Sequence, residues 1–347
     1  MFIPHCCPNH ICPEHSDPMP DFFLRHGSYN PKCRPHPVPR FICKTCKRSF
    51  SRQTFRADYC DNKPHLNAEL FMLVASGIGI RQSSRKTGLS LRCTELKLRK
   101  IGRHLRRLNL NLQGQLESEA RLHFHELETY EGQRNTRPLS VPVLIETDSR
   151  FIIWAESAPI RPRGKMTKKR LNAIKESEIQ HGTRKDLSMR SVKRTLQRGA
   201  DLLNNSLKVI FYTDEKSSYP SAATTKIGKH RLVHLQTNSK LVRATFNPLF
   251  RINHEEVVMR DLMGRLRRES WLVSKKRRYL DIALQVHIAY RNLVRRRFNK
   301  DEGSPAQLLG FLPRRLKPTE VLSWRQDWRE RSIHPLSKVG DTVDCWK

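Results

Sequence analysis

Leu207-Lys208-Val209-Ile210-Phe211-Tyr212-Thr213-Asp214 is the stretch that decides the fold. β-Branched and aromatic residues fill it, and it ends on an acid. It therefore reads as a buried central strand whose last carboxylate emerges at the C-terminal end, where the sites of α/β sheets gather. The plainer alternative is that Asp214-Glu215 merely opens a solvent turn. Upstream, strands are expected at about 121–131, 139–147 and 150–157, the last two joined by the polar turn Glu146-Thr147-Asp148-Ser149-Arg150. The strongly basic run 161–198 reads as an exposed loop leading into a helix near 188–204. A further strand is expected near 231–236, and helical periodicity covers 257–271 and 279–294. Residues 303–347 read as irregular, punctuated by Pro305, Pro313 and Pro318. The class is α/β (α+β), preceded by a helical stretch and a cysteine-rich start, with no internal repeat.

Charge narrows the partners. The chain carries 66 Lys+Arg against 33 Asp+Glu, a formal net charge of +33. The excess runs from Arg25 to Arg331 and is a field of the whole protein, so a polyanion is the natural ligand. No stretch approaches the ~18 consecutive apolar residues of a membrane helix, and the first residues lack a basic flank with an apolar core. The expectation is a cytoplasmic, nucleoid-associated protein with no membrane partner. A zinc-ribbon RNA-binding or ribosome-associated protein is the competing class, disfavoured by the α/β strand ending on Asp214.

The first 60 residues hold Cys6, Cys7, Cys12, Cys33, Cys43, Cys46 and Cys60. Cys7-Pro8-Asn9-His10-Ile11-Cys12 and Cys43-Lys44-Thr45-Cys46 form two knuckles. Four thiolates on two tight turns suit tetrahedral, structural Zn2+ with no open position. Cys6, His10, His15 and Cys33 are possible substitutes, and free thiols in a floppy tail are the alternative to a metal site.

From Leu66 the pattern turns helical. Leu66, Leu70, Leu73 and Val74 share a face, Gly77 breaks it, and residues 80–87 form a second short helix. Gly88-Leu89 makes a turn and Ser90 caps a third helix running to about Leu108. Two short helices, a turn and a longer helix match the helix-turn-helix plan. The last helix offers Arg92, Lys97, Arg99, Lys100 and Arg103 to DNA, followed by His104, Arg106 and Arg107. Its expected inner face is Leu89, Leu96, Ile101, Leu105 and Leu108. An ordinary trihelical unit with a solvated basic face is the alternative.

The segment Arg40-Phe41-Ile42-Cys43-Lys44-Thr45-Cys46-Lys47-Arg48-Ser49-Phe50 resembles the zinc ribbon of insertion-sequence transposases. Later blocks agree in order: 125–131 with 138–143, Tyr212-Thr213-Asp214 with Tyr219-Pro220, Ile252-Asn253-His254 followed by Arg260, and Ser304-Pro305-Ala306-Gln307. The resemblance implies a zinc ribbon over 1–60, a helix-turn-helix over 61–110, an RNase H-like DDE-type domain over 111–302 and an extension over 303–347. It implies double-stranded DNA partners (element ends and target), a homo-oligomer on DNA, and strand transfer by Mg2+ or Mn2+ held on converging carboxylates.

Asp214 fits the second acid, and Asn253 with Glu256 the third position; a helix-cap role for Glu255-Glu256 is the alternative. The first acid departs from the family pattern, since His125 stands where the family has Asp. Glu126 or Glu128 takes over, another metal serves, or the copy binds DNA without cutting it. Alternation puts both glutamates on the face opposite His125. The resemblance also points to Lys275 or Lys276 as a phosphate grip and to 161–170 as a backbone-tracking run. Trp154, Trp271, Trp324 and Trp328 read as core or interface anchors.

Overall fold

The computed structural model describes residues 2–31, 36–112, 116, 118–242, 244–267 and 271–325. At the start lie a short helix α1 (Pro13–Ser16) and an antiparallel sheet of β1 (Phe23–Tyr29), β2 (Val38–Cys43) and β3 (Ser49–Ser51). Phe22, Phe41, Phe50 and Phe55 pack there with Cys6, Cys7, Cys12 and Cys43 as a separate small core. A core of that size needs a staple to be stable alone.

Three helices follow: α2 (Asn67–Ala75), α3 (Ile80–Thr87) and α4 (Leu91–Asn111). Gly88 ends α3 with φ +65°, the left-handed conformation that favours glycine, and the Ser90 hydroxyl accepts from the Cys93 N–H to cap α4. The inner faces are rotated from those expected. In α2 the buried side chains are Asn67, Leu70, Phe71 and Ala75, whereas Leu66, Leu73 and Val74 are half-buried. In α4 they include Leu98, Ile101, Leu105 and Leu108, while Leu96 is 42% exposed.

The large sheet contains β4 (Glu119–Tyr130), β5 (Pro138–Glu146), β6 (Ile152–Ala155) and the two-residue β7 (Ala158–Pro159). After α5 (Lys168–His181) and α6 (Ser188–Leu202) come β8 (Lys208–Asp214), α7 (Tyr219–Ile227) and β9 (Leu232–Thr237). The order is β6-β5-β4-β8-β9, with β7 beside β5. β4, β5 and β6 pair antiparallel, while β4–β8 and β8–β9 pair parallel. The fold is thus mixed α/β around a mixed sheet, with strands where the periodicity put them. β8 alternates instead of being buried throughout: Val209, Phe211 and Thr213 are buried, and Ile210, Tyr212 and Asp214 only partly.

α8 (Phe250–Leu262) and α9 (Arg277–Ala289) complete the scaffold, with a wider π turn at Tyr290–Val294. α8 starts and ends well before the expected 257–271. The stretch expected to be irregular holds α10 (Pro305–Leu308) and α11 (Pro318–Ser323), and both prolines sit at the first helical position, where a missing N–H is harmless.

Each face of the sheet has its own apolar layer. Leu122, Phe124, Leu144 and Phe211 join Val192 and Leu196 of α6 and Ala222 and Ala223 of α7; the same cluster continues into Leu70, Phe71, Leu98, Ile101 and Leu105 of α2 and α4. The boundary expected near residue 110 therefore does not coincide with a gap in the core. On the other face, Leu127, Val141, Val143 and Ile145 meet Ile252 and Met259 of α8 and Leu280 and Leu284 of α9.

α4 lies directly on α9, and Gly102 is where the two approach closest: a Cβ there would overlap the Ile282 Cγ2 and come within 3.1 Å of its Cβ. Gly102→Ala is expected to lower unfolding stability by about 1–3 kcal/mol through overpacking, with Ile282→Ala restoring part of the loss. A denaturant double-mutant cycle checks it, and an additive result would mean the helices do not touch at this point.

Candidate functional site

Two sites can be built from these elements. In the N-terminal module the Cys7, Cys12, Cys43 and Cys46 sulfurs all lie within 4.8 Å of one another. Cys7–Cys46 and Cys12–Cys43 are 3.5 and 3.8 Å apart; zinc with Zn–S bonds of about 2.3 Å needs tetrahedral edges of about 3.8 Å. Burial opposes ionisation of Cys46, but the Arg48 N–H and the neighbouring thiols and Asn9 outweigh it and bring this thiol down to about 7. Burial pushes Cys7 and Cys12 up. An all-sulfur set of this size can hold a metal ion such as zinc.

The alternatives for the metal sort themselves by geometry. Cys6 is buried but outside the four. His10 and His15 bond to each other at 2.9 Å, and Cys33 lies outside the described residues.

The second site is a cleft of about 900 Å³ at the end of β8. Five pairs, from Glu119↔Lys208 to His123↔Tyr212, set the β4–β8 register, and two residues further on that register brings His125 level with Asp214. α8 crosses this face of the sheet. His125 Nδ1 lies 2.6 Å from the Glu256 carboxylate and Nε2 3.7 Å from the Asp214 carboxylate. Burial works against a charged imidazole here, but the Glu256 hydrogen bond and the Glu256, Asp214 and Glu126 carboxylates outweigh it, so the His125 pKa is raised. Asn253 and Glu128 also line the cleft, and Arg134, Arg161, Arg163, Arg170 and Arg260 surround it.

Glu126 points the other way, as alternation requires. It accepts from Ser140 Oγ at 2.6 Å and Tyr219 Oη at 2.7 Å, and pairs closely with Lys216. Burial raises its pKa, yet these three partners outweigh that and lower it. As a stand-in for a missing acid beside Asp214, Glu126 is therefore a correction: its carboxylate is engaged with α7. Glu255 and Glu256 form no cap pair. Glu255 is buried in a bidentate pair with Arg291 at 2.8 and 2.9 Å, and Glu256 serves the cleft.

Among the described residues the four thiols form the one group of three or more potential ligands gathered within 4.8 Å. His125, Asp214 and Glu256 share a cleft without forming such a group.

The basic residues expected on the third helix divide. Arg92 and Arg103 are exposed and Arg99 is half-buried. Lys97 is a correction: it is 2% exposed, and its ammonium donates to Asp61 at 2.7 Å, Asn67 at 3.0 Å and the Lys63 carbonyl at 3.1 Å. Its position beside Leu98 and four before Ile101 turns it inward, where the acid compensates its desolvation. Lys100 spends its donors on the Tyr59 and Cys60 carbonyls. His104 is buried against the Val321 carbonyl, and burial takes its pKa down to about 4.

Lys275 is exposed and does not line the cleft. Trp154 is buried with Arg106 and Arg198 over its ring, and Trp324 is buried, whereas Trp271 is fully exposed and no anchor; Trp328 is outside the described residues.

Sequence reasoning missed Lys216, the partner that neutralises Glu126. Its place two residues beyond the strand's terminal acid was the available signal. Among the described residues no helix is long and apolar enough to cross a membrane. Scanned against protein-family models the chain matches none, and no curated protein matches it either.

Two measurements probe these sites. About one zinc ion per chain is expected to be retained through gel filtration and released by a strong chelator, with Cys43→Ser losing it; metal analysis showing equal retention in Cys43→Ser would remove the thiol site. For His125, the folded pKa is raised above an unfolded value near 6.5. Its stabilising contribution is thus fully present below that value and is lost as pH rises through the folded pKa. An NMR titration of the imidazole is expected to give a midpoint above that of a free histidine, and Glu256→Gln should bring it down; an unmoved midpoint contradicts the 2.6 Å contact.

Proposed function

We propose that this chain is a DNA-binding protein of the insertion-sequence transposase type whose strand-transfer site is closed by His125. The observation that carries the reading is the convergence of His125, Asp214 and Glu256, from two neighbouring strands and a helix, in one arginine-lined cleft. The remainder of the fold supports it. Three antiparallel strands, a helix, two parallel strands and a further helix are the succession that an RNase H-like domain implies. α3, the Gly88-Leu89-Ser90 turn and α4 fit a helix-turn-helix that presents Arg92, Arg99 and Arg103, and the four thiols fit a zinc ribbon. The +33 charge supplies the attraction for a polyanion.

Cutting DNA with paired Mg2+ or Mn2+ requires carboxylate oxygens gathered around both ions. The residues present do not fit that pair. An imidazole, a poor ligand for Mg2+, takes the place between two acids with one nitrogen committed to Glu256, and the carboxylate of Glu126 is held by Lys216 and Tyr219. The role that fits is occupancy of DNA by paired chains, at the ends of a mobile element, with cleavage suppressed.

Binding and cutting are measured separately on duplexes taken from either side of the coding region, where inverted repeats are expected. The unaltered chain should bind with a log–log salt slope of about −0.9 per phosphate contacted, and leave both strands intact with Mg2+ or Mn2+. His125→Asp should gain metal-dependent nicking that a further Asp214→Asn removes. Nicking by the unaltered chain as fast as by His125→Asp sinks the closed site; absent or salt-insensitive binding sinks the DNA reading.

A further inference from the structure

Between the cysteine module and α4 lies another cavity, of about 540 Å³, within the ~300–1,000 Å³ range of small-ligand sites. His10, His15 and Arg48 of the module line it, together with Tyr59, Arg107 of α4, and Trp324 just past α11. Hydrogen bonds fix the histidine tautomers. His15 Nδ1 is 2.7 Å from the Cys7 carbonyl, which only accepts, so Nδ1 carries the proton and Nε2 is an acceptor. His10 Nδ1, 2.9 Å from that Nε2, must donate, which leaves His10 Nε2 to accept from the Arg107 guanidinium at 2.9 Å. This relay requires both imidazoles to be neutral. The charge of the cavity is that of Arg48 and Arg107.

Nothing in the described lining balances it, because no carboxylate borders the cavity. Asp58, one residue before Tyr59, is gripped by Arg56 at 2.8 and 3.0 Å. A separate observation points the same way: Trp324 is 1% exposed, yet its indole Nε1 has no hydrogen-bond partner. A buried donor left unpaired is costly, and what it lacks is an acceptor. Two guanidiniums and an orphaned N–H around one cavity call for a compact anion with several oxygens, and the planar guanidinium fork matches phosphate oxygens in particular.

We propose that this cavity is a phosphate-binding site in which Arg48 and Arg107 hold the charge and the indole N–H of Trp324 completes the oxygen cradle. Its lining comes from both the module and the helical segment, so a bound phosphate fixes one against the other. The proposal stands apart from the DNA reading, since a free phosphate and a backbone phosphodiester share the chemistry.

The test follows the indole resonances of the whole, metal-loaded, 15N-labelled chain during titration with inorganic phosphate, with chloride at equal ionic strength as control. One indole signal, absent in Trp324→Phe, should shift saturably with phosphate and not with chloride. Arg48→Gln, an exposed change that leaves the core intact, should weaken the response about tenfold, the effect of losing one charge-assisted hydrogen bond. A parallel arm uses duplex DNA. A shift that phosphate reverses identifies the backbone phosphodiester as ligand, and a shift with phosphate alone identifies a free phosphate. No indole response to either, or an equal response in Arg48→Gln, overturns the site.

Discussion

Glu119–Tyr130 pairs in parallel with Lys208–Asp214, and the register of that pairing sets what the cleft can contain. It brings His125 level with the terminal acid of the neighbouring strand, with its side chain on the α8 side of the sheet. Glu126, one residue on, necessarily faces α7. Because the side-chain period of a strand is two, a slip of one residue would exchange the imidazole for a carboxylate and invert the chemistry of the site. The apolar residues on either side resist such a slip. Leu122 and Phe124 belong to one buried layer and Leu127 to the other, so any shift would expose both sets at once.

The third contributor to the cleft is oriented from a distance. α8 is turned by Glu255, whose carboxylate is clamped by Arg291 with both partners at most 1% exposed. Buried pairs of this kind add little net stability against an apolar replacement, but removing one partner leaves an uncompensated charge. Their value lies in specifying one rotation of the helix. Arg291 occupies the π turn after α9, where the looser winding also presents Asn292 to the edge of the sheet. There its side-chain amide accepts from the Ile152 N–H and donates to the Ile152 carbonyl, at 2.9 and 2.8 Å, as a neighbouring strand would. One short turn thus ties both α8 and β6 to α9. That linkage is why Glu256 reaches His125 and does not face solvent.

What could be read from the sequence follows the range of the forces involved. The Ser90 cap, the Gly88 turn, the cysteine knuckles and the strand ending on Asp214 are local signals, and they were legible. The phase of α4 was not. Its sequence carries Leu91, Leu96, Leu98, Leu105 and Leu108, enough for two overlapping apolar stripes, and only contact with α9 selects the one through Leu98 and Ile101. Lys97 is carried inside by that choice and meets Asp61, thirty-six residues earlier in the chain. Glu126 failed for a similar reason. Alternation assigned its face correctly, but nothing local showed that Lys216 and Tyr219 would be waiting there.

The substitution at position 125 also makes electrostatic sense in a cleft walled by arginines. Ionised carboxylates beside a phosphate backbone repel it, and in a metal-dependent site bound cations offset that repulsion. Here the offset is built into the chain: Lys216 faces Glu126, and an imidazole whose pKa is raised faces Asp214 and Glu256. On the proposed reading, a polyanion can then enter the cleft with no ion present. A protonated imidazole, however, has no site left at which to coordinate and activate water. One residue therefore favours holding the backbone and disfavours breaking it, so an inactive site and a retained cationic groove can arise from the same change.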